Sequence, residues 1–255
     1  QDDALILFDD YDENLHGAYF EKFSKIVCEG LDRCGYPLCE GLIMASNPKW
    51  RMRRSEWRDQ FTDWIDRPEP EALLNACIFF DLVAVHGTKI WAKELQKFVS
   101  TKARNSKPFL ASLARNALKR PPPLGVFKNF VLEEDGRQGK SLNIKRRGTA
   151  PLTDIIRVHA LATGSMSQNS FERLEDISKT KLLPQEKYDE LTNALELLYS
   201  LRAHQQMLAI RDKREPNNNI APDTLSFTRQ RSLKEAFNVV AQAQRFLKYR
   251  YTANG

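Results

Sequence analysis

Helical periodicity runs from Pro151 to the end of the chain, and this stretch constrains the fold more than any other feature of the sequence. Apolar residues recur at helical spacing in four segments, 152–163, 170–179, 184–211 and 222–251. An Asn-rich loop, 215–219, separates the last two segments, which we expect to be long antiparallel partners in a bundle. The C-terminal part is therefore predicted to be all-α.

The N-terminal part instead alternates short apolar runs with helical segments. Apolar runs at 1–10, 38–45 and 76–85 predict strands, and two acidic residues lie at the start of the first run. Between and after them, helices are predicted at 16–33, 51–65, 71–75 and 89–101. This order is typical of an α/β domain with a mixed or parallel sheet.

A third pattern joins these two parts. A helix is predicted at 108–120, where a run of three prolines stops it. Two strands, 126–132 and 141–144, flank the polar turn 133–139 and predict a hairpin. We therefore expect an α/β domain at 1–107 and a helical domain at 108–255 that opens with this hairpin. The chain begins without Met and apparently in mid-strand, so the first domain is expected to lack its N-terminal part.

Composition narrows the class of protein. The net charge of +6 is compatible with polyanionic partners such as nucleotides, although it is too mild to require them. No apolar run approaches the length of a membrane span and no signal peptide opens the chain, so a cytoplasmic location is the default expectation. The spacing of the four cysteines fits none of the common zinc sites, which predicts reduced structural thiols.

Two strand-like runs carry carboxylates in otherwise apolar surroundings. Asp2 and Asp3 precede the first run and, on a strand, would point to opposite faces. Asp81 lies within the run at 76–85. If the two strands are neighbours, Asp2 and Asp81 could converge on a divalent ion. The alternative is that the first pair is a solvated strand end and that Asp81 has a backbone partner.

A basic turn is the second candidate site. Lys145, Arg146 and Arg147 precede Gly148, just after a predicted strand and before a predicted helix. Such a turn could hold phosphates through its cations and exposed backbone N–H groups, or it could be an ordinary surface turn. Gly125, at a kinked start of a strand, could likewise let the backbone approach a ligand.

The helix at 51–65 combines tryptophans with arginines. Trp57 and Trp64 lie near one face with Trp50, and this spacing is more typical of core anchors than of residues that stack on a ligand. The arginines among them are expected to form a solvated face. Each of the four histidines is expected to be structural or at the surface.

Several longer blocks resemble a known family. The blocks are Asp2-Asp3-Ala4-Leu5-Ile6, Ile78-Phe79-Phe80-Asp81, Pro122-Pro123-Leu124-Gly125, Ile144-Lys145-Arg146-Arg147-Gly148 and the run from Cys39 to Trp50. They resemble the nucleotidyltransferase domain that accompanies CBS and cyclic-nucleotide-binding domains in bacterial signalling proteins. That domain is similar to the N-terminal part of protein-PII uridylyltransferase.

The resemblance implies a nucleotidyltransferase-like mixed sheet with flanking helices, followed by a helical substrate-binding bundle. It implies that Asp2 is a metal-binding acid and that Asp81 is a further carboxylate, which binds metal and activates the attacking hydroxyl. Mg²⁺ would be the cofactor and a nucleoside triphosphate the substrate, its β and γ phosphates held by Lys145 with Arg146 or Arg147. The acceptor could be a protein. Independently of the resemblance, the open apolar positions on the long C-terminal helices would permit a homodimer, but they suit an intramolecular bundle equally well.

This sequence departs from the family pattern at three positions. Asp3 replaces the usual Asn, Val83 replaces a usual Arg and Asn143 replaces a usual Asp. Two other functions therefore remain as alternatives. One is a catalytically inactive module that senses nucleotides or binds proteins. The other is RNA binding through the arginine-rich helix and the basic turn, with a steep dependence on salt.

Overall fold

The structure is a computed structural model that describes residues 1–125, 129–134 and 139–252. It divides into two compact units, Gln1–Lys102 and Ala103–Gly255. Helices dominate the described residues, and the sheets are small. The mostly helical character was expected of the second part of the chain but not of the first.

The first unit combines a short parallel sheet with helices. Its elements are β1 (Leu5–Leu7), α1 (Glu13–Arg33), a 3₁₀ turn (Pro48–Trp50), β2 (Arg51–Arg53), α2 (Arg54–Asp66), α3 (Pro70–Phe79) and α4 (Lys89–Asn105). The division between the units falls within α4. Strands β1 and β2 pair in parallel, with Leu5 opposite Arg51 and Leu7 opposite Arg53.

An aromatic cluster forms the core of the first unit. Trp50, Trp57, Phe61 and Trp64 are buried, and the Trp57 ring centroid lies 4.9 Å from that of Phe79. The Trp57 indole N–H donates to the Leu5 carbonyl over 2.9 Å, which ties α2 to β1. A buried indole needs such an acceptor because its N–H cannot reach water. The prediction that these tryptophans are core anchors is confirmed.

One arginine near α2 is less solvated than expected. The Arg51 Nη1 donates to the carbonyls of Ala45 and Ser46 over 2.9 and 3.0 Å, so this side chain holds the unit together. Arg54 contacts the Asp9 carboxylate over 3.0 Å in an exposed ion pair. The prediction of a solvated arginine face is wrong for Arg51 and agrees with the exposure of Arg54.

Two of the three predicted strands are absent from the described structure of the first unit. Residues 38–45 form turns and irregular chain, in which the Leu42 carbonyl accepts from the side chains of Asn47 and Trp50. The run at 76–85 begins as the last turn of α3, which continues to Phe79. Leu73, Ala76 and Phe79 are buried at helical spacing, and a short apolar run cannot be assigned to helix or strand by pattern alone.

The second unit is a helical bundle with a small antiparallel sheet. Its elements are α5 (Lys107–Ala117), β3 (Glu133–Glu134), β4 (Lys140–Asn143), a π-helical turn (Lys145–Thr149), α6 (Ala150–Thr163), α7 (Ser170–Ser178), α8 (Gln185–Arg211), β5 (Asn219–Ile220), a 3₁₀ turn (Pro222–Thr224) and α9 (Phe227–Thr252). The sheet order is β3-β4-β5. The four helical segments predicted after residue 151 are confirmed, with α9 preceded by the 3₁₀ turn.

The hairpin prediction is confirmed in outline. Strand β3 pairs with β4 in antiparallel register, Glu133 opposite Ser141. Residues 126–128 and 135–138, which include most of the predicted turn, lie outside the described residues. Within 129–132, Phe130 forms only an isolated bridge to Leu124. The pairing therefore begins later in the chain than predicted, and β5, within the Asn-rich loop, was not predicted.

One hydrophobic core unites the bundle. Leu195 and Leu198 of α8 and Phe237 of α9 are completely buried in it, with residues of β4, α6 and α7. Gln244, also buried, donates from Nε2 to the carbonyls of Ala117 and Arg120 over 3.1 and 3.0 Å. Its amide therefore satisfies carbonyls at the end of α5 that no further helical turn would reach.

Among the helices of the described residues, none combines the length and the apolar character that a membrane span requires.

Candidate functional site

The two acids at the start of the chain differ in their surroundings. Asp3 accepts the Ala45 backbone N–H at Oδ1 over 2.7 Å and the Gln1 side-chain amide at Oδ2 over 2.8 Å. Asp2 and Asp3 both precede β1, which begins at Leu5. Asp3 is thus held by the loop at 43–45, whereas Asp2 is exposed. Of the two, Asp2 is the one that solvent or a ligand can reach.

Asp81 does not lie on a strand. It follows α3 by two residues, in a turn, and is half-buried. The sequence argument placed Asp2 and Asp81 on adjoining strands, and that argument is wrong because the second strand is the end of a helix. Among the described residues, no group of three or more His, Cys, Asp or Glu side chains is placed to hold a metal ion.

The basic turn lies where the sequence predicted it, between a strand and a helix. It takes the form of a π-helical turn, Lys145–Thr149, directly before α6. Short π segments are rare and are often found at functional sites. The Asn143 side chain accepts the Arg146 backbone N–H over 2.8 Å and so caps the turn.

Two of the cations in this turn are engaged with one carboxylate. Arg147 Nη2 lies 2.6 Å from Glu133 Oε1, and Arg146 pairs with the other oxygen of the same group. The hydrogen bond from Arg147, together with the charges of both arginines, lowers the pKa of the Glu133 carboxyl. Lys145 is exposed. The turn therefore offers less positive charge to a ligand than its sequence suggests.

Gly148 shows why the turn has its shape. Its backbone is buried, and a Cβ atom at this position would lie 3.1 Å from Leu198 Cδ2 and 3.2 Å from Phe237 Cε1. Helices α8 and α9 thus approach the turn more closely than most side chains would permit. A residue with a Cβ would require Leu198 and Phe237 to shift by a few tenths of an ångström.

Gly125 carries no such requirement. Its N–H donates to the Asn129 carbonyl over 2.9 Å, and a Cβ atom would make only ordinary contacts of 3.7 Å or more. Residues 126–128, which follow Gly125, lie outside the described residues. The acids and the basic turn belong to different units, at residues below 102 and above 103 respectively.

The second unit contains a cavity that the sequence did not reveal. Its volume is about 850 Å³, within the range of small-molecule sites. Buried apolar side chains from α6, the segment before α8, and α8 line it, namely Ile155, Leu183 and Leu191. Val239 and Phe246 of α9 complete the apolar lining.

Four cations also line this cavity. They are Arg104, Lys181, Lys187 and Arg250. Lys187 is paired with Glu190, another lining residue, at 2.7 Å. Within the described residues, Arg104, Lys181 and Arg250 form no ion pair. The cavity therefore joins an apolar lining to an excess of positive charge.

A buried histidine lies in the same wall. His159 of α6 is 4% exposed, and its Nδ1 lies 3.0 Å from the Tyr251 hydroxyl. Burial, helped by the charge of Arg250, lowers the pKa of His159 to about 4. Its imidazole is therefore neutral at physiological pH and offers one N–H donor and one acceptor. The expectation that this histidine is structural agrees with its burial.

Each of the two units contains a match to a known family model. The model described as "Putative nucleotidyltransferase substrate binding domain" matches residues 107–251, and "Putative nucleotidyltransferase DUF294" matches residues 1–71. The chain belongs to this family. No curated protein and no solved structure matches it at a significant level.

Some of the candidate residues lie inside the two family matches and others lie outside them. Asp2 lies inside the nucleotidyltransferase match, but Asp81 lies beyond its end at residue 71. The substrate-binding match contains Gly125, the basic turn and the cavity residues apart from Arg104. The family thus associates the basic turn and the cavity with a domain named for binding substrate.

The sequence held no local signal for the cavity. Its cations come from the end of α4, the segment before α8, α8 itself and α9, so no short motif contains them. Glu133, which engages both arginines of the turn, lay in the predicted hairpin turn and was not singled out. Glu133 lies opposite Ser141 in the hairpin, so no cross-strand pattern in the sequence indicates its pairing with the arginines.

Proposed function

We propose that this protein is a nucleotidyltransferase, similar to protein-PII uridylyltransferase, that moves a nucleotidyl group from a nucleoside triphosphate to an acceptor hydroxyl in bacterial signal transduction. The observation that carries the proposal is the pair of family matches at 1–71 and 107–251, in the order expected for a transferase unit and its substrate-binding unit. The parallel pair β1 and β2 would be part of a nucleotidyltransferase-like mixed sheet.

The chemistry of the acids suits Mg²⁺. This ion is commonly bound through one or two carboxylates together with substrate phosphates, and Asp2 and Asp81 are carboxylates in the same unit. These two residues would hold it. When bound, Mg²⁺ would neutralise the negative charge of the triphosphate and the charge that develops at the α-phosphorus.

The remaining roles fall to other side chains. Asp81 would accept the proton of the attacking acceptor hydroxyl. Lys145, with Arg146 or Arg147, would bind the β and γ phosphates, and the exposure of Lys145 supports this assignment. Gly125 would lie near the nucleotide. The roles of Asp81 and Gly125 have their support from the family resemblance alone.

The proposal extends to the setting of the reaction. The acceptor would be a protein or a small molecule with a hydroxyl group, and the location would be the cytoplasm. CBS or cyclic-nucleotide-binding domains would accompany this chain in a longer protein. The long C-terminal helices would permit a homodimer.

A second candidate is a catalytically inactive nucleotide-sensing or protein-interaction module. It is favoured by the pairing of Arg146 and Arg147 with Glu133, because cations already engaged with a carboxylate contribute less to a leaving pyrophosphate. RNA binding has less support. Arg51 and Arg54, two of the arginines it would use, are engaged with carbonyls and with Asp9.

The test is transfer of label from labelled nucleoside triphosphates to candidate acceptors in the presence of Mg²⁺. We expect Asp2→Asn and Asp81→Asn each to lower the rate by about 10²-fold or more, since each removes a metal ligand or the base. Asp59→Asn, an exposed acid on α2, is the matched control and should leave the rate unchanged. Unchanged transfer in Asp81→Asn would refute its role. Binding of nucleotide without any transfer would favour the sensor.

A further inference from the structure

The cavity of the second unit has a chemistry of its own. Three of its lining residues, Ile155, Leu183 and Leu191, are buried and apolar, so they suit a ligand body without charge. Polar ligand groups placed against them would lose their hydrogen bonds to water without replacement. The apolar part of a ligand should therefore occupy this side of the cavity.

One wall offers an aromatic face. Phe246 is 41% exposed although it lines the cavity, and its ring centroid lies 5.6 Å from that of His159. An exposed aromatic ring of this kind can stack on a flat ligand, as aromatic side chains do on nucleobases. Because His159 is neutral, it adds no charge to this wall.

The charge of the lining indicates the other part of the ligand. Arg104, Lys181, Lys187 and Arg250 contribute four positive charges against the single negative charge of Glu190. A carboxylate would neutralise only one of the remaining charges, whereas a phosphate monoester carries about −1.5 to −2. Arginine is also suited to phosphate because its guanidinium can donate two parallel hydrogen bonds.

We propose that this cavity binds a small organic phosphate with a flat, uncharged body, a class that includes nucleoside monophosphates. The flat body stacks on Phe246 above the apolar lining, and the phosphate is held by Lys181 and Arg250 with Arg104. The proposal does not depend on the transfer reaction, since none of these residues belongs to the acids or to the basic turn. It holds equally for an active enzyme and for a sensor.

The test is calorimetric titration of the whole chain with AMP and with UMP, in the presence of a chelator of divalent ions. We expect AMP, UMP or both to bind. Adenosine and inorganic phosphate, tested separately, should each bind more weakly than the monophosphate that binds. The chelator removes Mg²⁺-dependent binding at the proposed transfer site. A negative result would therefore overturn the cavity proposal and leave the transfer reaction to its own assay.

Two double variants distinguish the site from general electrostatic attraction. Lys181→Met with Arg250→Met should weaken binding of the monophosphate about tenfold or more, because charge-assisted hydrogen bonds are lost. Arg245→Met with Lys248→Met removes the same charge from exposed positions of α9 that do not line the cavity, and should have no effect. Equal weakening in both double variants would overturn the proposal.

A third variant tests the flat body. Phe246→Ala should weaken binding of the monophosphate severalfold and leave the affinity for inorganic phosphate unchanged. Because Phe246 is partly exposed, its replacement is not expected to unfold the bundle, and an unchanged thermal midpoint would verify this. Monophosphate binding that survives this variant unaltered would exclude stacking on this wall.

Discussion

The basic turn and the cavity are two groups of cations in the same unit, and they differ in what surrounds them. In the turn, Arg146 and Arg147 are contiguous in sequence and share the carboxylate of Glu133. In the cavity, Arg104, Lys181 and Arg250 come from distant parts of the chain and form no ion pair with described residues. The conspicuous basic motif is thus the more nearly neutralised of the two. Positive charge in a sequence is evidence for an anion site only when its internal partners are known.

The largest effect should come from His159, and it tests how dry the cavity wall is. Unfolded, this histidine takes up a proton as the pH falls below 6.5, whereas folded it remains neutral down to a pH of about 4. The unfolded state then binds more protons, so stability is full above pH 6.5 and declines between pH 6.5 and 4. The total loss should be roughly 3 kcal/mol.

Urea unfolding of wild type and His159→Phe across this pH range checks the prediction. The variant should lose this part of the pH dependence, whatever its absolute stability. His86→Gln, at an exposed position, serves as the control and should retain the dependence. If the free energy of unfolding has the same dependence on pH in wild type and in His159→Phe, the wall around His159 is accessible to water, and the contrast between the cavity and the basic turn weakens.

The next effect concerns Gly148 and tests whether the turn is built into the core. Gly148→Ala should destabilise the second unit by about 1–3 kcal/mol, because the added Cβ lies within 3.2 Å of atoms of Leu198 and Phe237. Gly125→Ala is the matched control, since its Cβ would have room. Thermal or urea unfolding measures both. A harmless Gly148→Ala would show that α8 and α9 can move apart and that the turn is looser than the structure indicates.

The smallest effect concerns Glu133 and tests the neutralisation of the turn directly. The arginines lower the pKa of this carboxyl, so its contribution to stability is present above its ordinary value of 4.5 and is lost as the pH falls through the lowered pKa. The pair is more than a third exposed on the acid side, so the contribution should be only about 0.5 kcal/mol.

In urea unfolding, Glu133→Gln should remove the part of the loss of stability at low pH that comes from this carboxyl. The same variant should strengthen binding of inorganic triphosphate to the turn, because it releases two cations. Glu134→Gln, the exposed neighbour on β3, provides the control. Weaker triphosphate binding in Glu133→Gln would mean that the acid orients the arginines for a ligand and does not merely neutralise them.

The predictability of this molecule differs between its units for a physical reason. Each helix of the second unit is specified by its own periodicity and by local end signals, such as Asn169 before α7 and Gly164, at φ +82°, after α6. In the first unit, the run Ala76–Phe79 suits a strand and a helix equally well. Its outcome depends on contact with the aromatic cluster around Trp57, which sequence spacing does not specify.

The candidate site shows the same limit. The residue types at 2 and at 145–147 and their flanking elements could be identified from sequence, and so could the family. The commitment of Asp3 to Ala45 and of both arginines to Glu133 could not, because each joins residues separated by a loop or a hairpin. The meeting of Asp2 and Asp81 rested on a strand that the structure does not contain, and the role of Asp81 stays a prediction.

The family could be identified from sequence because several longer blocks resemble it. The four C-terminal helical segments and the basic turn before α6 could be predicted because periodicity and end signals act between residues a few positions apart. Which cations are neutralised and where a cavity remains depends on how the folded chain packs. Burial and ion pairing depend on residues that the chain separates widely, such as Lys181 and Arg250, and the energies of both are settled when the packed surfaces exclude water.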